Sequence, residues 1–130
     1  MGRRTIMSNE ARALVLVVED EALIRMHGCA VLESAGFEVL EAATADEAIV
    51  ILEQHDHVHL LFSDIDMPGG MDGLELAEMV HARWPNIGLL ITSGHRRPAE
   101  ASLPDDGKFI AKPWREGDVI DQVKAILSTK

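Results

Sequence analysis

The chain holds a single cysteine, Cys29, in 130 residues. No internal disulfide can form, and a reducing compartment is the default. Nowhere does an apolar run reach the roughly 18 residues that a membrane helix needs. The residues before Ala11 carry no continuous apolar stretch of the signal-peptide kind. These absences predict a soluble, cytoplasmic, non-membrane protein. Basic clusters are missing too: nothing exceeds the pairs Arg3-Arg4 and Arg96-Arg97, against a formal net charge of -10. Attraction to phosphate backbones is weak for such a chain, so nucleic acid is a poor partner. No repeat, low-complexity tract or Pro/Ser-rich linker divides the sequence. With 47% hydrophobic residues, residues 12–130 are expected to form one domain with a real core. Residues 1–11 read as a flexible leader, with Met7 an alternative start.

What is present is an alternation of strand-length apolar runs with segments of helical period, the pattern of βα units and a parallel sheet. Five strands are expected, the first over Ala13 to Val18. It feeds a helix from about Glu21 to Ala35, on which Leu23, Ile24, His27, Ala30, Val31 and Ser34 fall near one face, and Gly36 caps it. Phe37 to Ala42 alternates with polar residues and so reads as an edge strand. Thr44 with Glu47 forms a capping box opening a helix through Ile49 and Leu52 to Gln54. Val58 to Ser63 is nearly all apolar, as a central strand should be. A helix from Asp72 to Arg83 follows, closed by Pro85. Ile87 to Thr92 and Lys108 to Ala111 are the last two strands, and Glu116 to Leu127 is an amphipathic final helix. Between Gly94 and Gly107, Pro98, Pro104 and Asp105-Asp106-Gly107 leave room only for a short or irregular fourth helix.

Right-handed crossovers bring all strand C-termini to one edge, where open α/β sheets place their chemistry. Glu19, Asp20, Asp64, Ser93 and Lys112 all stand there. Acids after Val18 suit a helix start by themselves. Together with Asp64 and Lys112 they suggest more: three carboxylates repel unless a cation neutralises them, and oxygen-only ligands favour hard Mg²⁺. An aspartate can attack phosphorus covalently, and a metal and a lysine would stabilise the acyl phosphate formed.

Five motifs in order carry a resemblance: Val17-Val18-Glu19-Asp20-Glu21, Ser63-Asp64-Ile65-Asp66-Met67-Pro68, Met71-Asp72-Gly73, Ile91-Thr92-Ser93-Gly94 and Phe109-Ile110-Ala111-Lys112-Pro113. From Ala13 to Leu127 the chain resembles the receiver domain of bacterial two-component response regulators. The resemblance implies a flavodoxin-like (βα)5 three-layer sandwich with strand order 2-1-3-4-5. It implies that Asp64 is the phosphoacceptor, and that Asp20, Asp64, Glu19 and the Asp66 carbonyl hold Mg²⁺. Lys112 would pair with the carboxylate and then the phosphoryl group, and the Lys112-Pro113 bond would be cis. Phe109 matches the aromatic switch that moves with the strand-four hydroxyl. Asp66 and His95 are candidates for setting the dephosphorylation rate. The donor would be a histidine kinase or a histidine phosphotransfer protein, and the output an unidentified protein partner. Such a chain is a switch that assists its own phosphorylation rather than an enzyme.

Some positions depart from the pattern. Thr92-Ser93-Gly94 offers two hydroxyls; Ser93 is favoured because Gly94 then fills the small position, with Thr92 the fallback. Gly69-Gly70-Met71 adds one residue to the usual turn, which bears on the metal geometry at Asp66. The segment from His95 to Lys108 is short, which reshapes the usual signalling face and makes a standard dimer mode unsafe to carry over. The run His55-Asp56-His57-Val58-His59 reads as a solvated loop rather than a metal site. Trp84 and Trp114 read as packing at helix ends, with Trp114 also able to join a partner surface. Beside a stand-alone receiver stand three other readings. One is a phosphatase of the haloacid dehalogenase type, suggested by Asp64-Ile65-Asp66. Another is a phosphorylation-independent adaptor, and the last a receiver cut from a hybrid kinase.

Overall fold

The computed structural model describes residues 12–96, 98, 103–104 and 107–130. Five strands, β1 (Leu14–Val18), β2 (Glu38–Ala42), β3 (Val58–Asp64), β4 (Gly88–Ser93) and β5 (Lys108–Ala111), form one sheet in the order β2-β1-β3-β4-β5. Every pairing is parallel, which is the expected flavodoxin-like order. Among the described residues there are four helices: α1 (Ala22–Ser34), α2 (Ala45–Gln54), α3 (Gly73–Arg83) and α4 (Glu116–Leu127). The leader and most of the short helix expected between Gly94 and Gly107 lie outside the described residues.

Alternation along the strands sends side chains into two cores. Leu16, Leu61 and Ile91 meet Ala48 and Leu52 of α2 and Leu76 and Val80 of α3 on one face. Val15, Phe62 and Leu90 meet Leu32 of α1 and Val119 and Val123 of α4 on the other. Helices on both faces explain why β3 and β4 are buried almost throughout, whereas β2, at the edge, keeps its polar alternation.

One helical face differs from expectation. Leu23 is 80% exposed, and His27, Ala30 and Ser34 also face solvent. The buried residues of α1 are Gly28, Cys29, Val31 and Leu32. The helix is rotated because its first turns flank the ring of Trp114, whose edge would lie 3.4 Å from a Cβ at Gly28. Only a small residue at 28 lets the helix sit that close. Ala35 is the C-cap of α1, with Gly36, expected in that role, one position further out at φ 95°.

Capping follows the sequence at α2, where Thr44 Oγ1 accepts from the Glu47 N–H at 3.1 Å. Glu47 itself reaches back to the Ala43 N–H, 2.9 Å away. The complete reciprocal box lies at α3 instead: Asp72 accepts from the Glu75 N–H, and Glu75 from the Asp72 N–H. At the opposite end of the sheet, β1 and β3 shift register between Leu14 and Val15. His59 Nδ1 accepts the Leu14 N–H there at 3.0 Å, so one histidine of the His55–His59 run completes the strand pairing.

Candidate functional site

The strand ends converge on Asp64. Glu19 and Asp20 follow β1, Asp64 and Ser93 close β3 and β4, and Lys112 follows β5. Lys112 Nζ donates to Glu19 Oε1 at 2.6 Å and stands 3.4 Å from Asp64 Oδ2. Carboxylate oxygens of Glu19, Asp20 and Asp64 all lie within 4.8 Å of one another. Glu19 and Asp64 are buried and Asp20 is exposed, so the cluster opens to solvent on one side.

The charges do not balance. One ammonium faces three carboxylates, and Asp64 Oδ1 is buried with no hydrogen-bond partner. Burial pushes the Asp64 and Glu19 carboxyls above their ordinary range, and Lys112 only partly opposes this. Burial also pulls Lys112 down, but the hydrogen bond to Glu19 and the charges of Asp64 and Glu19 outweigh it and hold the ammonium firmly protonated. An all-oxygen donor set with excess negative charge and one orphaned oxygen suits a hard divalent cation.

Local backbone fixes this geometry. The Ile65 N–H donates to the Thr92 carbonyl and the Gly73 N–H to the Ile65 carbonyl, both at 2.9 Å. Position 73 must be glycine: a Cβ there would lie 2.0 Å from the Asp64 carbonyl oxygen. The start of α3 is thus pressed against the backbone that carries Asp64. The Gly69-Gly70 turn between them includes Gly69 at φ 100°. Arg25 holds the other side, donating to the Glu19 carbonyl and to Glu41 Oε1, each at 2.8 Å. The Lys112-Pro113 bond is cis.

The two hydroxyls part company. Thr92 Oγ1 accepts from the indole Nε1 of Trp114 at 2.8 Å. Ser93 Oγ donates to Asp66 Oδ2 at 2.9 Å and accepts the N–H groups of His95 and Arg96, each at 3.0 Å. Asp66 is therefore turned towards β4, with its other oxygen on Arg96. His95 is exposed, and Phe109 is half-buried against the core shared by α2 and α3.

Sequence reasoning did not find the parts played by Arg96 and Trp114. Trp114 packs on Phe62 with ring centres 5.1 Å apart, stacks on His27 at 6.0 Å, and with Leu23, Ile24, His27, Lys112 and Pro113 lines an open apolar cleft of about 540 Å³ beside the acids. No local spacing signals either contact, because both join residues far apart in the chain. Trp84 matches its expected packing, under the Arg83 guanidinium at 4.4 Å.

The family model described as Response regulator receiver domain matches residues 15–124. The sensor kinase CckA of Brucella abortus (strain 2308) is 39% identical over 119 residues, 88% of this chain and 12% of that protein. The response regulator receiver protein CpdR of the same organism is 29% identical over 116 residues, 87% of this chain and 95% of that one. The crystal structure of the receiver domain from the hybrid histidine kinase CckA superposes with a TM-score of 0.76 at 31% identity, covering 88% of this chain and 99% of that one. The chain thus spans only a small part of the first of these relatives.

Proposed function

The chain belongs to the response regulator receiver family, and from that membership we propose that it accepts a phosphoryl group on Asp64 in a Mg²⁺-dependent reaction and relays the change to a protein partner. The observation that carries this reading is Asp64 itself. Its carboxylate is buried, stands between Lys112 and two further acids, and has one oxygen without a partner.

In the reaction a carboxylate oxygen of Asp64 forms the new P–O bond while the donor's P–N bond breaks, and the donor's ring nitrogen keeps the electron pair. Lys112 Nζ, already 3.4 Å from the carboxylate, follows the charge onto a phosphoryl oxygen. Ser93 rather than Thr92 supplies the hydroxyl, because Thr92 Oγ1 is directed to the indole of Trp114 whereas Ser93 Oγ is directed to Asp66, two residues beyond the acceptor. Held by Glu19, Asp20, Asp64 and the Asp66 carbonyl, Mg²⁺ would neutralise the charge of the phosphoryl oxygens. Phe109 is the residue assigned to move with Ser93, and Asp66 and His95 to tune loss of the phosphoryl group.

In this reading the donor is a histidine kinase or a histidine phosphotransfer protein, the location is the cytoplasm, and residues 12–130 are one receiver domain after a leader over 1–11. No helix among the described residues is long and apolar enough to cross a membrane. Similarity to the receiver of CckA supports a second reading, in which the same module serves within a hybrid kinase. The haloacid dehalogenase reading is the weaker one, since both carboxylate oxygens of Asp66 are engaged, by Ser93 and Arg96.

Intact mass after incubation with acetyl phosphate and Mg²⁺ tests the proposal. One phosphate adduct on wild type, absent from Asp64→Asn and from an EDTA control, is the expected result. No adduct on the folded wild type overturns it and favours the phosphorylation-independent adaptor.

A further inference from the structure

The Ser93 hydroxyl has no bonding capacity to spare. A hydroxyl offers one proton and two lone pairs. Here the proton goes to Asp66 Oδ2, and the N–H groups of His95 and Arg96 take the lone pairs. The single proton cannot serve Asp66 and a phosphoryl oxygen at once. Whatever holds Asp66 against Ser93 therefore competes directly with the phosphoryl group.

Arg96 is what holds it. Its Nε and terminal nitrogen lie 3.2 and 3.1 Å from Asp66 Oδ1, and the same terminal nitrogen is 3.5 Å from Asp72 Oδ2. Asp72 cannot follow the arginine freely, because its Oδ1 caps α3 through the Glu75 N–H at 2.9 Å. The guanidinium is thus braced against a helix start that is itself pressed onto the Asp64 backbone. A planar fork suits this two-point grip in a way that a lysine ammonium does not. One oxygen of Asp66 takes the Arg96 side chain while the other takes Ser93, and the backbone N–H of Arg96 adds to the hold on Ser93.

Building on the phosphoacceptor reading above, we propose that Arg96 is a positioning residue that clamps Asp66 onto Ser93 and so sets how readily the Ser93 hydroxyl turns to a phosphoryl group on Asp64. The clamp acts through Ser93 and touches neither Asp64 nor Lys112. Removing it frees the hydroxyl and favours the phosphoryl-bound arrangement. Arg96 and Asp66 side chains are 47% and 40% exposed, so solvent weakens the pair and the effect is modest, about 2- to 5-fold.

The test is titration of the 130-residue chain with beryllofluoride in Mg²⁺, a mimic of the phosphoryl group, followed by ¹⁹F NMR for wild type, Arg96→Met, Ser93→Ala and the double variant. Arg96→Met is expected to lower the half-saturating concentration about 2- to 5-fold relative to wild type. In the Ser93→Ala background the same change is expected to have no effect, a dependence that a merely structural arginine would not show. An unchanged or raised midpoint for Arg96→Met overturns the clamp, as does an equal shift with Ser93 absent. A wild type that binds no beryllofluoride overturns the phosphoacceptor reading, and the clamp falls with it.

Discussion

Replacing Asp64 by Asn is expected to stabilise the metal-free protein. The substitution keeps the shape of the side chain and removes one of three crowded negative charges. At an effective dielectric near 20, Lys112 at 3.4 Å attracts the carboxylate by about 5 kcal/mol. Glu19 and Asp20, with oxygens within 4.8 Å, each repel it by about 3.5 kcal/mol or more on the same scale. Asp20 is exposed and must be discounted for screening, which leaves a net gain of about 1–3 kcal/mol once relief of the desolvation of the buried charge is included. For a domain of this size that is a rise in Tm of roughly 4–10 °C. The sign with pH follows from proton counting. Burial raises the Asp64 and Glu19 carboxyls above their ordinary 3.8 and 4.5, so through the window just above those values the folded state binds more protons than the unfolded one. Wild-type stability therefore falls as pH rises through that window. The advantage of Asp64→Asn is small near pH 4 and full at neutral pH. Lys112, held above its ordinary 10.5, contributes throughout this range and is lost only at higher pH. Calorimetry in EDTA from pH 4 to 7.5, repeated in saturating Mg²⁺, measures all of this. Mg²⁺ should raise wild type more than the variant. An Asp64→Asn protein no more stable than wild type at pH 7.5, or a gain independent of pH, refutes the charge-crowding argument.

Gly73→Ala forces a Cβ to within 2.0 Å of the Asp64 carbonyl; urea denaturation should show a loss of about 2–4 kcal/mol, and an unchanged midpoint would mean that α3 is not pressed on the site. Trp114→Phe leaves Thr92 Oγ1 without its indole donor, at a cost of about 1–2 kcal/mol, and adding Thr92→Val should restore part of it in a double-mutant cycle. Cys29 is 8% exposed and its thiol is pushed up to about 11, first by burial and then by Glu41 and Glu33. A thiol reagent at pH 7.5 should accordingly label it at the rate of unfolding and not faster.

The fold was legible because its signals are local. A near-continuous apolar run gave β3 its central place, and polar alternation put β2 at the edge. The C-terminal helix runs from Glu116 to Leu127 as its periodicity indicates. Glu19, Asp20, Asp64 and Lys112 could be assembled on paper because parallel topology alone sends them to one edge. Helix α1 could not be oriented that way. Its apolar residues run round more than one face, and which one is buried depends on Trp114, 86 residues beyond Gly28 in the chain, slotting against that glycine. The choice between Thr92 and Ser93 rested on Gly94 in the sequence, whereas in the fold it rests on what each hydroxyl touches. Arg96 carried no motif at all, since its partners Asp66 and Asp72 are brought to it only by the pairing of β3 with β4.

The central claim is that Asp64, and no neighbouring acid, carries the phosphoryl group. Borohydride reduces an aspartyl phosphate to homoserine, and peptide mass mapping then locates the altered residue. After treatment with acetyl phosphate and Mg²⁺, homoserine at position 64 alone is the expected result. Homoserine at 20 or 66, or a phosphate adduct that borohydride does not convert, would contradict the account.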